Sequence, residues 1–288
     1  MLPFRRIIFP VDFSDRCRAI APIVRETAER FGADLILVNA VDPVPLVVGS
    51  VEASVAMPIP DFGEIHKRQE ERLKAFDQEM FPSMKSTLLV EDGEAGGVVS
   101  NTIRRHGADL VMLPTHGHGA VRRWLLGSVA AKVLHDASCA VWTDAHHAEE
   151  TARYPYRRIL CALRVDDEES EAVLRAAGWV AQKYQAELLL VHAVEIPPAA
   201  WEMDFAPYKK AILDAADAKM CEIRHQTGIE APYQIVEGRA ADEMRRVANE
   251  WKADLIVTGR GHSQGGLSRA WSQLYPIIRE APCPVLSI

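Results

Sequence analysis

Several features are missing from this 288-residue chain, and each absence narrows what it does. No run of about 18 apolar residues occurs, so no membrane-spanning helix is expected. Positive charge is not in surplus: 40 Asp and Glu against 33 Lys and Arg leave a net charge of −7. Broad binding to nucleic acid or to an anionic membrane needs a basic patch, so neither is an expected partner. Cysteine is sparse. Cys17, Cys139, Cys161, Cys221 and Cys283 are odd in number, far apart and without a CxxC, which fits a reducing cytoplasm rather than a disulfide framework. No GxGxxG follows the first strand of either half, which argues against a dehydrogenase. The opening, MLPFRRIIFPVDFSD, turns acidic too early for a secretory signal.

What is present is the balance of an ordinary globular protein, 48% hydrophobic and 25% charged, with length for about two domains. The chain also repeats itself. FRRIIFPVD near residue 4 resembles YRRILCALR near residue 156, placing Arg6 on Arg158. ADLILVNAV from Ala33 resembles AELLLVHAV from Ala186, HGADLVML aligns with WKADLIVT through Asp109 and Asp254, and SCAVW aligns with PCPVLSI through Cys139 and Cys283. The order never changes and the offset falls only from 153 to 144, the mark of one duplicated unit with small deletions in its second copy. The expected domains are residues 1–145 and 155–288.

Each copy reads as strand alternating with helix. In the first, Arg6–Val11 is a strand and Arg16–Phe31 a helix, with Ser14 or Asp15 as its N-cap. Asp34–Val41 is a continuous apolar run, as for a strand buried on both faces. Asp42–Gly63 reads as a loop, His66–Met80 as a charged helix, Ser86–Val90 as a strand and Ala95–His106 as a helix. Leu110–Leu113, a helix through Val129–His135 and the strand Cys139–Thr143 complete the unit. Such alternation predicts right-handed crossovers and parallel sheets with helices on both faces, a doubly wound α/β fold in two tandem domains.

The most informative stretch is Leu113-Pro114-Thr115-His116-Gly117-His118-Gly119, leading to Gly127-Ser128-Val129. A buried strand feeds a glycine loop, and Gly127-Ser128 opens a helix. Ligands of open α/β sheets sit beyond the carboxyl ends of the strands. Free backbone amides and a helix dipole converging there favour a phosphate. Glycine permits close approach, and Ser128 adds a hydroxyl donor. Turn and cap residues of an empty structural loop are the other reading of the same glycines. His116 and His118 resemble exposed loop histidines more than zinc ligands, because no cysteine or carboxylate spacing supports a metal.

With these residues in view, the first copy resembles a universal stress protein domain. That family carries a G-x-x-G, nine-residue, G-S/T signature, and the opening FPVDFSD and closing LLGSVAAKVLHDASCAVW resemble it too. The resemblance spans the chain as two domains. It implies an open five-stranded parallel sheet in each, in the order 3-2-1-4-5, and a cytoplasmic regulator of stress or growth arrest. It implies bound ATP or AMP, with magnesium, and a homodimer in addition to a pseudo-dimer of the two copies. Strong catalysis is not expected; a slow ATPase and a non-nucleotide scaffold are the alternatives. Carried over, Pro10 and Val11 line the base, Asp12 faces the adenosine, and Ala40 meets the adenine edge. Leu113, Pro114, Thr115, His116, Gly117, His118 and Gly119 form the phosphate loop, capped by Gly127, Ser128 and Val129. Pro114 stands where the signature has its first glycine and brings no N–H, which costs one donor.

The second copy departs further. Arg164 replaces Asp12, and Trp271-Ser272 or Ser272-Gln273 replaces the glycine-serine step. This copy reads as mainly structural, or as a site for an acidic molecule met by Arg164, Arg239 and Arg260.

Overall fold

The computed structural model describes residues 3–42, 62–115, 126–144, 154–196, 206–260 and 267–288, without the side chains of residues 206 and 267–273. The chain forms two compact units, Met1–Thr143 and Asp144–Ile288.

In the first unit, β1 (Arg6–Pro10), α1 (Asp15–Phe31), β2 (Asp34–Val41), α2 (Phe62–Met80), β3 (Ser86–Asp92), α3 (Ala95–His106), β4 (Leu110–Pro114), α4 (Ser128–Asp136) and β5 (Ala140–Asp144) follow in order. The strands lie in the order β3-β2-β1-β4-β5. The pairings of β1 with β2, β1 with β4 and β2 with β3 are all parallel. The run Leu35–Val38 is buried residue after residue, as a strand covered on both faces requires. Phe9 of β1 meets Phe76 of α2 at 6.3 Å and Phe81 at 6.1 Å, centroid to centroid, in the core on one face of the sheet. α2 exposes most of its charged residues and buries only Leu73 and Phe76. It starts four residues before the expected His66, because Phe62 to Ile65 carry no breaker beyond Gly63.

The helix ends follow local chemistry. Ser14, not Asp15, caps α1: its hydroxyl oxygen accepts from the Cys17 amide at 3.1 Å. Gly32, at φ 62°, closes the same helix in the left-handed conformation that glycine adopts without a Cβ clash.

The second unit repeats the plan with β6 (Arg158–Ala162), α5 (Ser170–Tyr184), β7 (Glu187–Val194), α6 (Ala206–Thr227), β8 (Tyr233–Glu237), α7 (Ala240–Trp251), β9 (Leu255–Thr258), α8 (Leu267–Glu280) and β10 (Val285–Ser287). Its strands run β8-β7-β6-β9-β10, the same 3-2-1-4-5 order. The duplication extends to single hydrogen bonds. Asp109 Oδ2 accepts from the amides of Arg5 and Arg6 at 2.9 and 3.0 Å. Asp254 Oδ2 accepts from Arg157 and Arg158 at 2.8 and 2.9 Å. Each carboxylate thereby ties the start of the fourth strand of its unit to the start of the first.

Candidate functional site

Beyond the carboxyl ends of β1, β2 and β4 lies a cavity of about 460 Å³, the place a doubly wound sheet offers a ligand. Ten of the residues singled out in the sequence line it: Pro10, Val11, Asp12, Ala40, Leu113, Pro114, Thr115, Gly127, Ser128 and Val129. The other four, His116, Gly117, His118 and Gly119, lie outside the described residues.

Two helices begin at this cavity, α3 and α4, and their N-termini differ. Glu94 caps α3, its carboxylate accepting from the amides of Gly96 at 2.8 Å and Gly97 at 2.9 Å. That end already holds an anion. α4 starts after Gly127, and no side chain caps it among the described residues. The amides of Ser128, Val129 and Ala130 belong to its first turn, where no intrahelical acceptor exists, and all three residues line the cavity. With no side-chain cap among the described residues, this N-terminus offers the donors and the positive dipole end that an anion needs.

One residue plays a role different from the one expected. The Gly127 amide donates to Thr115 O at 2.7 Å, so this N–H closes the loop between β4 and α4. That amide is therefore committed within the chain, and Ser128 is the next along α4. Asp12 also has internal work: its Oδ1 accepts from the Ser14 amide at 2.9 Å and from the Ser14 hydroxyl at 2.7 Å. It props the residue that caps α1 while lining the cavity. The following Phe13 holds φ at 62°, rare for a residue with a Cβ. Its ring lies under the Arg72 guanidinium at 4.2 Å and edge-on to Phe76 at 6.0 Å, which anchors the strained turn.

The sequence reading missed Val38, Asn39, Ala95, Val98, Val99 and Ala130, the other described residues of the lining. Asn39 carried a readable signal as the one polar residue after Asp34 in the β2 run. Its Nδ2 donates to Val11 O at 2.7 Å, pinning the end of β1 to β2. The second unit repeats this with another residue: His192 Nδ1 lies 2.9 Å from Leu163 O.

A second cavity of about 410 Å³ is lined, among the described residues, by those of the second unit, at the corresponding strand ends. Arg164 and Arg260 both line it, but Arg239 does not. Arg239 instead forks onto the Asp242 carboxylate at 2.9 and 3.1 Å, which raises its already high pKa. The three arginines thus do not form one acid-binding cluster. The Trp271 side chain lies outside the described residues.

The fold and the residue pattern define a tandem α/β protein of a known class. The sequence profile of the Universal stress protein family matches residues 3–143 and again residues 155–288, and the chain belongs to that family. Among curated relatives, a universal stress protein from Thermus aquaticus is 31% identical over 142 residues, covering 48% of this chain and 96% of its own length. A universal stress protein A homolog from Coxiella burnetii is 28% identical over 138 residues, covering 46% of this chain and 94% of its own. Among solved structures, a universal stress protein from Archaeoglobus fulgidus superposes with a TM-score of 0.70 at 18% identity, over 98% of this chain and 95% of that one. Likeness at that identity establishes the fold.

Proposed function

We propose that the N-terminal unit binds an adenine nucleotide, ATP or AMP, and that the protein is a cytoplasmic stress-response regulator rather than a catalyst of rapid turnover. The observation that carries this reading is the uncapped N-terminus of α4, with the Ser128–Ala130 amides at one end of the first cavity. Pro10, Val11, Val38 and Ala40 add apolar lining of a kind that suits a flat base. Asp12, the carboxylate of the lining, is the candidate acceptor for ribose hydroxyls.

Magnesium enters this reading as a passenger of the phosphates. Among the described residues no group of three or more His, Cys, Asp or Glu side chains is arranged to hold a metal. Asp12 is the one carboxylate among the described lining residues. Magnesium commonly binds through one or two carboxylates plus phosphate oxygens and water, which this lining allows. The family's habit of pairing supports a homodimer, which sedimentation of the purified chain tests. The nucleotide itself is tested by denaturing the purified protein and chromatographing what is released. A clean blank, together with no calorimetric heat for ATP up to millimolar concentration, overturns the reading.

A further inference from the structure

The two cavities occupy corresponding places but are finished differently. In the first unit, α4 turns its N-terminus into the cavity through Gly127, Ser128, Val129 and Ala130. In the second, the described part of α8 that lines the cavity is the flank of the helix, Leu274 and Ile277. Among the described residues, α8 thus contributes aliphatic side chains to its cavity, where α4 contributes the residues of its first turn. The α6 helix adds Ile212, Ala215 and Ala216, whereas no residue of α2 lines the first cavity. Met244 of α7 and Val173 of α5 extend the apolar wall.

Charge argues against an anion here. The carboxylates of Asp166, Asp167, Glu169 and Glu195 line this cavity beside Arg164, Lys219 and Arg260, so positive charge is not in surplus. Arg164 already faces Asp167 at 3.5 Å. Glu195 also reaches the start of α7, accepting from the Ala240 amide at 3.4 Å, where a phosphate would otherwise find donors.

His192 supplies the polar handle. Its Nδ1 faces the Leu163 carbonyl, which only accepts, so Nδ1 carries the hydrogen and Nε2 of the neutral ring is an acceptor. Burial lowers the pKa of this imidazole, which keeps the ring neutral at physiological pH.

We propose that the C-terminal cavity binds an uncharged, mainly apolar small molecule carrying one hydroxyl or N–H, which donates to His192 Nε2 while its body lies among Ile212, Ala216, Met244, Leu274 and Ile277. This goes beyond the nucleotide reading and uses none of the residues of the first cavity.

The test uses the full chain and N-phenyl-1-naphthylamine, an uncharged fluorescent probe with one N–H. Saturable binding at one site per chain is expected, with displacement by 1-decanol but not by decanoate or ATP. Ala215→Trp places an indole at the exposed mouth and weakens the probe at least tenfold. His192→Asn keeps the bond to Leu163, as Asn39 does for Val11, but withdraws the acceptor from the Nε2 position to a shorter-reaching Oδ1; it weakens the probe about three- to tenfold. Ser128→Pro, in the first unit, leaves probe binding unchanged. Absence of saturable binding overturns the proposal. So does displacement by decanoate or ATP as effective as that by 1-decanol, or loss of probe binding in Ser128→Pro but not in Ala215→Trp. ATP binding, measured separately, is unchanged in Ala215→Trp, so the two readings fail independently.

Discussion

Gly127 donates its amide hydrogen to the carbonyl of Thr115 at 2.7 Å, tying the start of the fourth helix to the end of the fourth strand. The bond holds the first turn of α4 at the cavity and leaves Ser128 as the first residue whose N–H an anion can take.

Ser128 is accordingly where substitution separates binding from folding. It occupies the first helical position, where proline is well tolerated, and the extended backbone of Gly127, φ −62° and ψ 149°, is one that a residue before proline adopts. Ser128→Pro removes an amide and a hydroxyl donor together. A hydrogen bond to a charged group is worth about 1.5–3 kcal/mol, so ATP affinity falls roughly ten- to hundredfold. Calorimetry reads the affinity. Thermal unfolding, expected to shift by no more than about 2 °C, shows that the fold is intact.

Pro114 gives the opposite prediction. It ends β4 and lines the cavity without an N–H to offer, whereas Gly259 ends the same turn in the second unit. Pro114→Ala restores the donor without the added flexibility of glycine. ATP binding is expected to tighten by up to about tenfold in a parallel titration; unchanged affinity would mean that this amide does not face the phosphates.

The residue pattern made much of this legible and left part of it hidden. β2 and α3 take the boundaries the sequence indicates, Asp34–Val41 and Ala95–His106. The first is apolar from Leu35 to Val41 but for Asn39, and the second is bracketed by Glu94 and Gly107. Strand order followed from the resemblance rather than from the periodicity, since a pattern of apolar residues does not say which strands are neighbours. At the cavity, the glycine-serine step was visible because helix starts have local signatures. The internal use of the Gly127 amide was not, because its acceptor is twelve residues away in the chain. Asn39 and His192 are polar residues inside apolar strands, and that each pins the neighbouring strand's end appears only once β1 lies beside β2 and β6 beside β7.

The repeated strand clamps differ in depth. Asp109 and Asp254 accept equivalent pairs of amides, but Asp254 is only 6% exposed. Removing an acceptor leaves two strand amides unsatisfied, and the cost rises with burial. Asp254→Ala is expected to destabilise its unit by about 1–3 kcal/mol, and Asp109→Ala by less, measured as the shift in urea midpoint. Equal shifts would show that burial does not set the cost.

Buried thiols set the alkaline limit of stability. Burial, reinforced by the charge of Asp12, pushes the Cys17 thiol up to about 12, and burial also raises Cys161 and Cys283. Unfolded thiols ionise near about 8.5, so above that pH the unfolded chain binds fewer protons than the folded one. Stability therefore falls as pH rises from about 8.5, by up to about 1.4 kcal/mol per pH unit for each such thiol. Cys283→Ala should flatten the slope by one thiol. His192 acts at the other end: with its folded pKa lowered, the unfolded chain binds the extra proton first, so acidification below about 6.5 destabilises the second unit. His192→Asn removes that acid component, which urea unfolding between pH 5 and 7 measures.

The nucleotide reading is tested most directly by titrating magnesium ATP into the intact chain by calorimetry, alongside Ser128→Pro. One nucleotide per chain, with affinity lost in the variant while the C-terminal variants Ala215→Trp and His192→Asn bind as before, is the expected result. Two nucleotides per chain, no heat up to millimolar ATP, or binding that survives Ser128→Pro unchanged would contradict it.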